Sequence, residues 1–545
     1  MLAEQVIDMF RKLFGPFLIL LSFGVAAQDT AVDYATQSVQ IALSSEPRNL
    51  NSIRATDALS IFYLEHAMEG LLRKDARNQL VGGVAERWEM EDTTARFWLR
   101  QDAMWSDGVP VTAHDFVFAW REVVNPQIAA EYASIMYMVK NGEAINQGKM
   151  PLDALGITAI DDYTLEVELE APTGYFLNLM SFMIFYPVRE DFYKAQSGRY
   201  FADVRNMVFN GPFKITSWIH GASIRMEKNP LYWNADTIEL NVIDTPYITN
   251  DSAARFNLFK DGKLAIENGI QGLSAEQLRG ALDYRMRIRS HSDGSLFYLE
   301  FNHRPERPTS NLNLRKAIQA VYDSQELVYK VIGIAGYIPG KALVPVYMNG
   351  VNGKFRQEYP IVEAELSLEK ARQYLALAKQ ELGIEEFPPL SILGDTGELP
   401  ILEAQYFQSL LKRTLDLDIK VDLQQFKIRL DKMLSGDFDL VLAGWGPDYE
   451  DPMTFVDLFA SWNVNNRGRY ASDEYDSHVR LAQSTSDQQV RMDAMGKAQQ
   501  LIIDDAVILP NFERVANTVQ HPKLEGVLFK QTGASMVLTY ARVLE

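Results

Sequence analysis

A chain of 545 residues is too long for a single hydrophobic core and divides into about three or four domain-sized units. Hydrophobic residues make up 47% and charged residues 23%, a globular balance that excludes a disordered chain. The formal net charge of −19, from 72 acidic and 53 basic residues, opposes the counterion release that drives nucleic-acid binding, and the lack of cysteine excludes disulfides, thiolate nucleophiles and Cys-ligated metal.

Arg11 and Lys12 precede an apolar run from Leu13 to Val25, and Val25, Ala26, Ala27 offer the small residues that a signal peptidase reads. Residues 1–27 are therefore expected to be a removed signal peptide, with Met9 as an alternative start. The run is shorter than the ~20 residues needed to cross a bilayer. Lipid attachment needs a cysteine after the cut, so the expected product is a soluble protein held in a Gram-negative periplasm.

Strand-like and helix-like segments then intermix throughout, which predicts a mixed α/β fold. Phe97 and Leu99 alternate within 96–100, and Trp105, Ser106, Asp107, Gly108 follow as a turn signal, together reading as a hairpin. Thr112 suits a helix N-cap, with Asp115 three residues later as the acid of a capping box. Helical spacing of Leu and Ala predicts helices over 368–381 and 402–415, with a strand over 420–423. Residues 437–443 read as a short buried strand ending at Gly444 and Trp445. A loop held irregular by Pro447 and Pro452 follows, in a place that often carries function.

Catalytic signals are missing. None of the seven histidines lies at i, i+3 or i+4 from another, so there is no helical zinc site, and no GxSxG elbow, P-loop or dinucleotide fingerprint occurs. Neither a metal nor a cofactor is implied. Carboxylate pairs such as Asp504 and Asp505 are expected to be solvated or capping groups. An envelope hydrolase remains as a competing class, motivated by size and export alone.

From about Val39 onward, the segments Glu69 to Leu72, Val84 to Trp88, Trp105 to Trp120, Asn210 to Phe213 and Lys228 to Trp233, in that order, together resemble the periplasmic oligopeptide-binding proteins, solute-binding protein family 5, the receptors of peptide ABC importers. The segment Trp105 to Trp120 is similar to the family's WSDGxPVTAxDFVxxW signature. Glu69 to Leu72, Val84 to Trp88, Asn210 to Phe213 and Lys228 to Trp233 resemble four further family segments, with Arg87 where serine is usual. The resemblance implies a bilobal fold of three regions, closing over ligand about a hinge. It places lobe I at 28–68, 189–292 and 511–545, an accessory domain at 69–188 and lobe II at 293–510.

Gly444 to Pro452 is similar to the family's GWxxDYxDP loop, where Asp448 matches the anchor of the peptide α-ammonium. A carboxylate in a closing cleft would form a charge-assisted bond of about 1.5–3 kcal/mol. Gly444 and Gly446 would offer backbone groups to an extended peptide, strand addition that is blind to side-chain identity. Trp445 reads either as the wall of a side-chain pocket or as core, and Tyr132 matches another cleft position. Thr56 and Asp57 correspond to the facing strand that also touches ligand. Where some receptors carry basic groups for the ligand carboxylate, this chain has Met433, Leu442 and Pro400, so no fixed C-terminal anchor is expected. The resemblance further implies a monomer that delivers a short peptide to an inner-membrane permease. A murein peptide, a glutathione-like molecule or a metal chelate are the alternative ligands on the same fold.

Overall fold

The computed structural model describes residues 30–268, 279–282, 286–463 and 465–545. The expected signal peptide, 1–27, lies outside the described residues. Helices and sheets intermix, as the patterning requires, and four apolar cores carry the molecule.

The first core holds a five-stranded sheet ordered Val32–Asp33, Ser38–Leu43, Val242–Ile248, Ser223–Lys228, Phe213–Ile219. Alternating burial along Ser38–Leu43 puts Val39, Ile41 and Leu43 inward, the period-two signature of a strand with one buried face. A four-stranded antiparallel sheet, Ala85–Glu91, Thr94–Leu99, Thr164–Glu168, Ile157–Asp161, belongs to the same continuous core. Residues of the segment 69–188 thus share one continuous apolar core with the five-stranded sheet.

Within this region the sequence motifs are scaffold. Thr94–Leu99 pairs with Ala85–Glu91, so its hairpin partner lies upstream; the turn at 105–108 instead closes its own short bridge, Met104 to Pro110. The expected hairpin between 96–100 and that turn is corrected accordingly: Asp92, at φ 43°, makes the reversal on the other side of the strand. Helix Ala113–Val124 begins as expected, with the Thr112 N–H donating to Asp115 Oδ2 at 2.9 Å. Trp105 and Trp120 are fully buried, and the Trp105 Nε1–H donates to the same Asp115 oxygen at 3.1 Å. Three separated motifs converge on Glu69. Its carboxylate accepts from the Tyr232 hydroxyl and from Trp233 Nε1–H, and its backbone exchanges two hydrogen bonds with the Asn210 amide. Gly211, next to Asn210, sits so close to the backbone of Ala67 and Met68 that an added Cβ would lie 2.5 Å from Ala67 C.

A second large sheet runs in the order Ile266–Asn268, Ile508–Gln520, Arg287–Phe301, Leu440–Trp445, Leu390–Asp395, Ile419–Gln424. Helices Leu368–Leu382 and Glu398–Leu415 lie near the predicted spans; the second starts a turn early because Pro400 is tolerated in a first helical turn. The strand expected at 437–443 forms at Leu440–Trp445. Two strands, Arg287–Phe301 and Ile508–Gln520, pass from one core to another, and the boundaries 292/293 and 510/511 fall inside them. Their pairing shifts register between Ser292 and Leu296. Gly294 occupies that bulge at φ 82°, with a Cβ position 2.8 Å from both Pro447 Cγ and Tyr347 Oη, a place for glycine alone. Asp293 and Arg514 form an ion pair across it.

Candidate functional site

Leu440–Trp445 is central at its start and half-open at its end. On one side it pairs antiparallel with Arg287–Phe301 along its whole length, Leu440 to Phe301 through Trp445 to Leu296. On the other side Leu390–Asp395 meets it only at Leu440 and Val441. From Leu442 onward that edge has no strand partner among the described residues, while the Leu442 carbonyl accepts from Arg429 at 2.8 Å. Gly444 and Gly446 are exposed, so backbone groups of this stretch face open space. Trp445 is half-buried against the core that holds Leu296, Val441 and Ala443, and its indole Nε1–H is buried with no hydrogen-bond partner among the described residues.

The loop that follows is fixed from below. Asp451 accepts from both terminal nitrogens of fully buried Arg491, at 2.9 and 3.0 Å, a bidentate pair. The Asp448 backbone N–H donates to Thr454 Oγ1 at 3.1 Å. The Asp448 carboxylate itself makes no ion pair among the described residues, and burial pushes its pKa up to about 6. Asp457 beneath the loop is pushed to about 7, by burial first and then by the charges of Asp448 and Asp451. An uncompensated, half-buried carboxylate in an open-edged cleft is arranged to receive a cation.

Residues from all parts of the chain surround it. Glu65, Lys74, Ser181, Phe182 and Lys530 share a cavity with Asp448. Tyr132 stands 5.8 Å from the Phe182 ring, and its hydroxyl is pushed to about 12 by burial and then by Asp448, Glu131 and Asp57. Asp448 and Asp57 therefore both lie within electrostatic reach of the Tyr132 hydroxyl. Thr56 Oγ1–H donates to Glu131 at 3.4 Å. Asp57 is the N-cap of helix Ala58–Ala67, with its carboxylate accepting from the Ser60 N–H and hydroxyl at 3.0 and 2.6 Å, which accounts for its charge locally. Met433 and Leu442 are 6% and 5% exposed and pack into the second-lobe cores.

Sequence reasoning missed Lys530, Lys74, Glu65 and Arg429. Lys530 is buried against Glu65, and burial pulls its pKa down to about 7. Its position in the chain carries no pattern linking it to residue 448. Arg429 had a readable signal: it lies one helical turn before Met433 on Phe426–Ser435. The accessory segment also reaches the loop directly, through an ion pair of Lys74 Nζ with Glu450 at 2.9 Å. Tyr175 stacks on Tyr449, centroids 4.8 Å apart and planes 9° from parallel.

Residues 79–467, more than half of the chain, match the bacterial extracellular solute-binding proteins, family 5. The chain belongs to this family. Among its family-5 relatives, the dipeptide-binding protein DppE of Bacillus subtilis is 31% identical over 94% of this chain and 97% of its own. The periplasmic oligopeptide-binding protein OppA of Haemophilus influenzae is likewise 31% identical, covering 95% of this chain and 96% of its own. A solved Listeria monocytogenes OppA bound to peptide superposes with a TM-score of 0.76 at 30% identity, covering 93% of this chain and 99% of the other. The family-5 fold, a multidomain mixed α/β solute receptor, is thereby shared. No helix among the described residues is long and apolar enough to cross a membrane.

Proposed function

We propose that this family-5 protein is the periplasmic receptor of a peptide ABC importer, exported by residues 1–27 and delivering short peptides to an inner-membrane permease as a monomer. The observation that carries the reading is the half-buried Asp448 carboxylate, which makes no ion pair among the described residues and stands beside an unpaired strand edge. An extended peptide adds its backbone to Leu442–Gly446 and places its α-ammonium on Asp448. Tyr132 and Trp445 flank the first side chains, and Thr56 approaches from the facing lobe. Lobe I (28–68, 189–292, 511–545), carrying the accessory domain 69–188, closes on lobe II (293–510) about the paired strands that bulge at Gly294. Relatives named for binding dipeptides and oligopeptides support this ligand class.

Calorimetric titration of a peptide mixture before and after N-acetylation tests the assignment. Removing one partner of an enclosed pair costs about 2–5 kcal/mol, so acetylation, or Asp448→Asn with the free amine, should weaken binding by about 30-fold or more. Equal affinity for the acetylated peptides would remove Asp448 from the role.

A further inference from the structure

A cavity of about 560 Å³ opens on the first lobe between residues 46–54, 193–202 and the end of the outer strand Phe213–Ile219, and it shares no residue with the cavity beside Asp448. Its volume falls within the range of small-molecule sites. Glu46 is the acid in its lining, and that carboxylate is fully engaged. It accepts from Trp218 Nε1–H at 2.7 Å and from the Gly221 N–H at 2.9 Å, and it meets His220 Nδ1 at 2.7 Å. Arg48 and Arg54, in the same lining, are exposed and have no acidic partner among the described residues. The Tyr193 hydroxyl, also in the lining, is raised by burial first and then by the charge of Glu122, and the positive charge of Arg54 opposes both.

In a chain of net charge −19, this concave space is lined by two arginines without an acidic partner among the described residues and by one acid, Glu46, which is already engaged. Acidic side chains are plentiful enough to neutralise them, as happens at Arg189 with Asp107 and at Arg255 with Glu267. Trp218, Tyr193, Tyr200 and Phe201 add aromatic rings to the lining. Planar guanidinium forks match carboxylate and phosphate oxygens in pairs, and aromatic walls suit a compact apolar body.

We propose that this cavity is a second binding site, for a small anion bearing carboxylate or phosphate groups that Arg48 and Arg54 clasp. The site is separate from the peptide cleft, so it stands whether or not Asp448 binds an ammonium. Titrating the full chain calorimetrically with citrate, phthalate and inorganic phosphate at constant ionic strength tests it, the three probes separating carboxylate from phosphate and aromatic from aliphatic bodies. We expect one-site saturation by at least one probe with a Kd of about 1 mM or tighter. Arg48→Gln combined with Arg54→Gln should weaken that probe about tenfold or more while the thermal midpoint and peptide affinity hold, since both arginines are exposed. Absence of saturation with all three probes, or an unchanged Kd in the double variant, would overturn the proposal.

Discussion

Burial holds the Asp448 carboxyl near pKa 6, above its ordinary 3.8, so the native empty protein binds that proton more tightly than the unfolded chain does. The sign follows directly: this group's stabilising contribution is fully present below the ordinary value and is lost as pH rises through about 6. An ammonium bound beside it removes the penalty, so peptide affinity should fall about tenfold between pH 7 and pH 5 as the carboxylate protonates. Calorimetry at the two pH values checks this, and a flat profile would contradict it. Asp457, pushed to about 7 next to Asp448 and Asp451, titrates in the same direction. The Asp451–Arg491 pair plays a different part, since Arg491 is 0% exposed and has both terminal nitrogens on that carboxylate. Asp451→Ala leaves a buried guanidinium without its partner and should cost about 3–5 kcal/mol, read as a lower denaturant midpoint. Asp448 was singled out because the loop motif names it; Lys530 and Glu65 were not, because burial, and not sequence spacing, makes them a pair.

At the scale of elements, strand Leu440–Trp445 and its neighbours fix where a ligand backbone fits. Its first residues form a solid buried run, which is why the sequence pattern reveals a strand there. That its far edge lacks a partner depends on Leu390–Asp395 diverging after Leu393, and nothing within residues 437–446 encodes that. Gly444 is tightly seated: a Cβ would lie 2.7 Å from Phe297 Cδ1, against a ring stacked on Phe512 at 4.9 Å. Gly444→Ala should therefore destabilise the second lobe by about 1–3 kcal/mol, measured by denaturant unfolding. The mistaken hairpin at 96–108 has an equally local cause. A turn signal states that the chain reverses, but which strand it joins is settled by pairing, and here Ala85–Glu91 takes that edge.

Across the whole molecule, the segment 69–188 touches the loop after Leu440–Trp445 at Tyr175 on Tyr449 and at Lys74 with Glu450. Aromatic stacks contribute about 0.5–1.5 kcal/mol beyond burial, so Tyr175→Ala should speed peptide release about three- to tenfold with little change in association. Stopped-flow displacement measures it, and an unaltered release rate would separate this contact from closure. Family and mixed α/β class were determined by the sequence alone, because contiguous motifs and hydrophobic periodicity are written residue by residue. Tertiary structure decided the rest. It buried Met433 and Leu442, gave Asp57 a capping task, brought residues 65, 74, 182 and 530 to the side of Asp448, and opened a basic cavity on the first lobe. Each of these depends on which segments meet after hundreds of intervening residues, and burial, strand pairing and pKa are properties of that meeting.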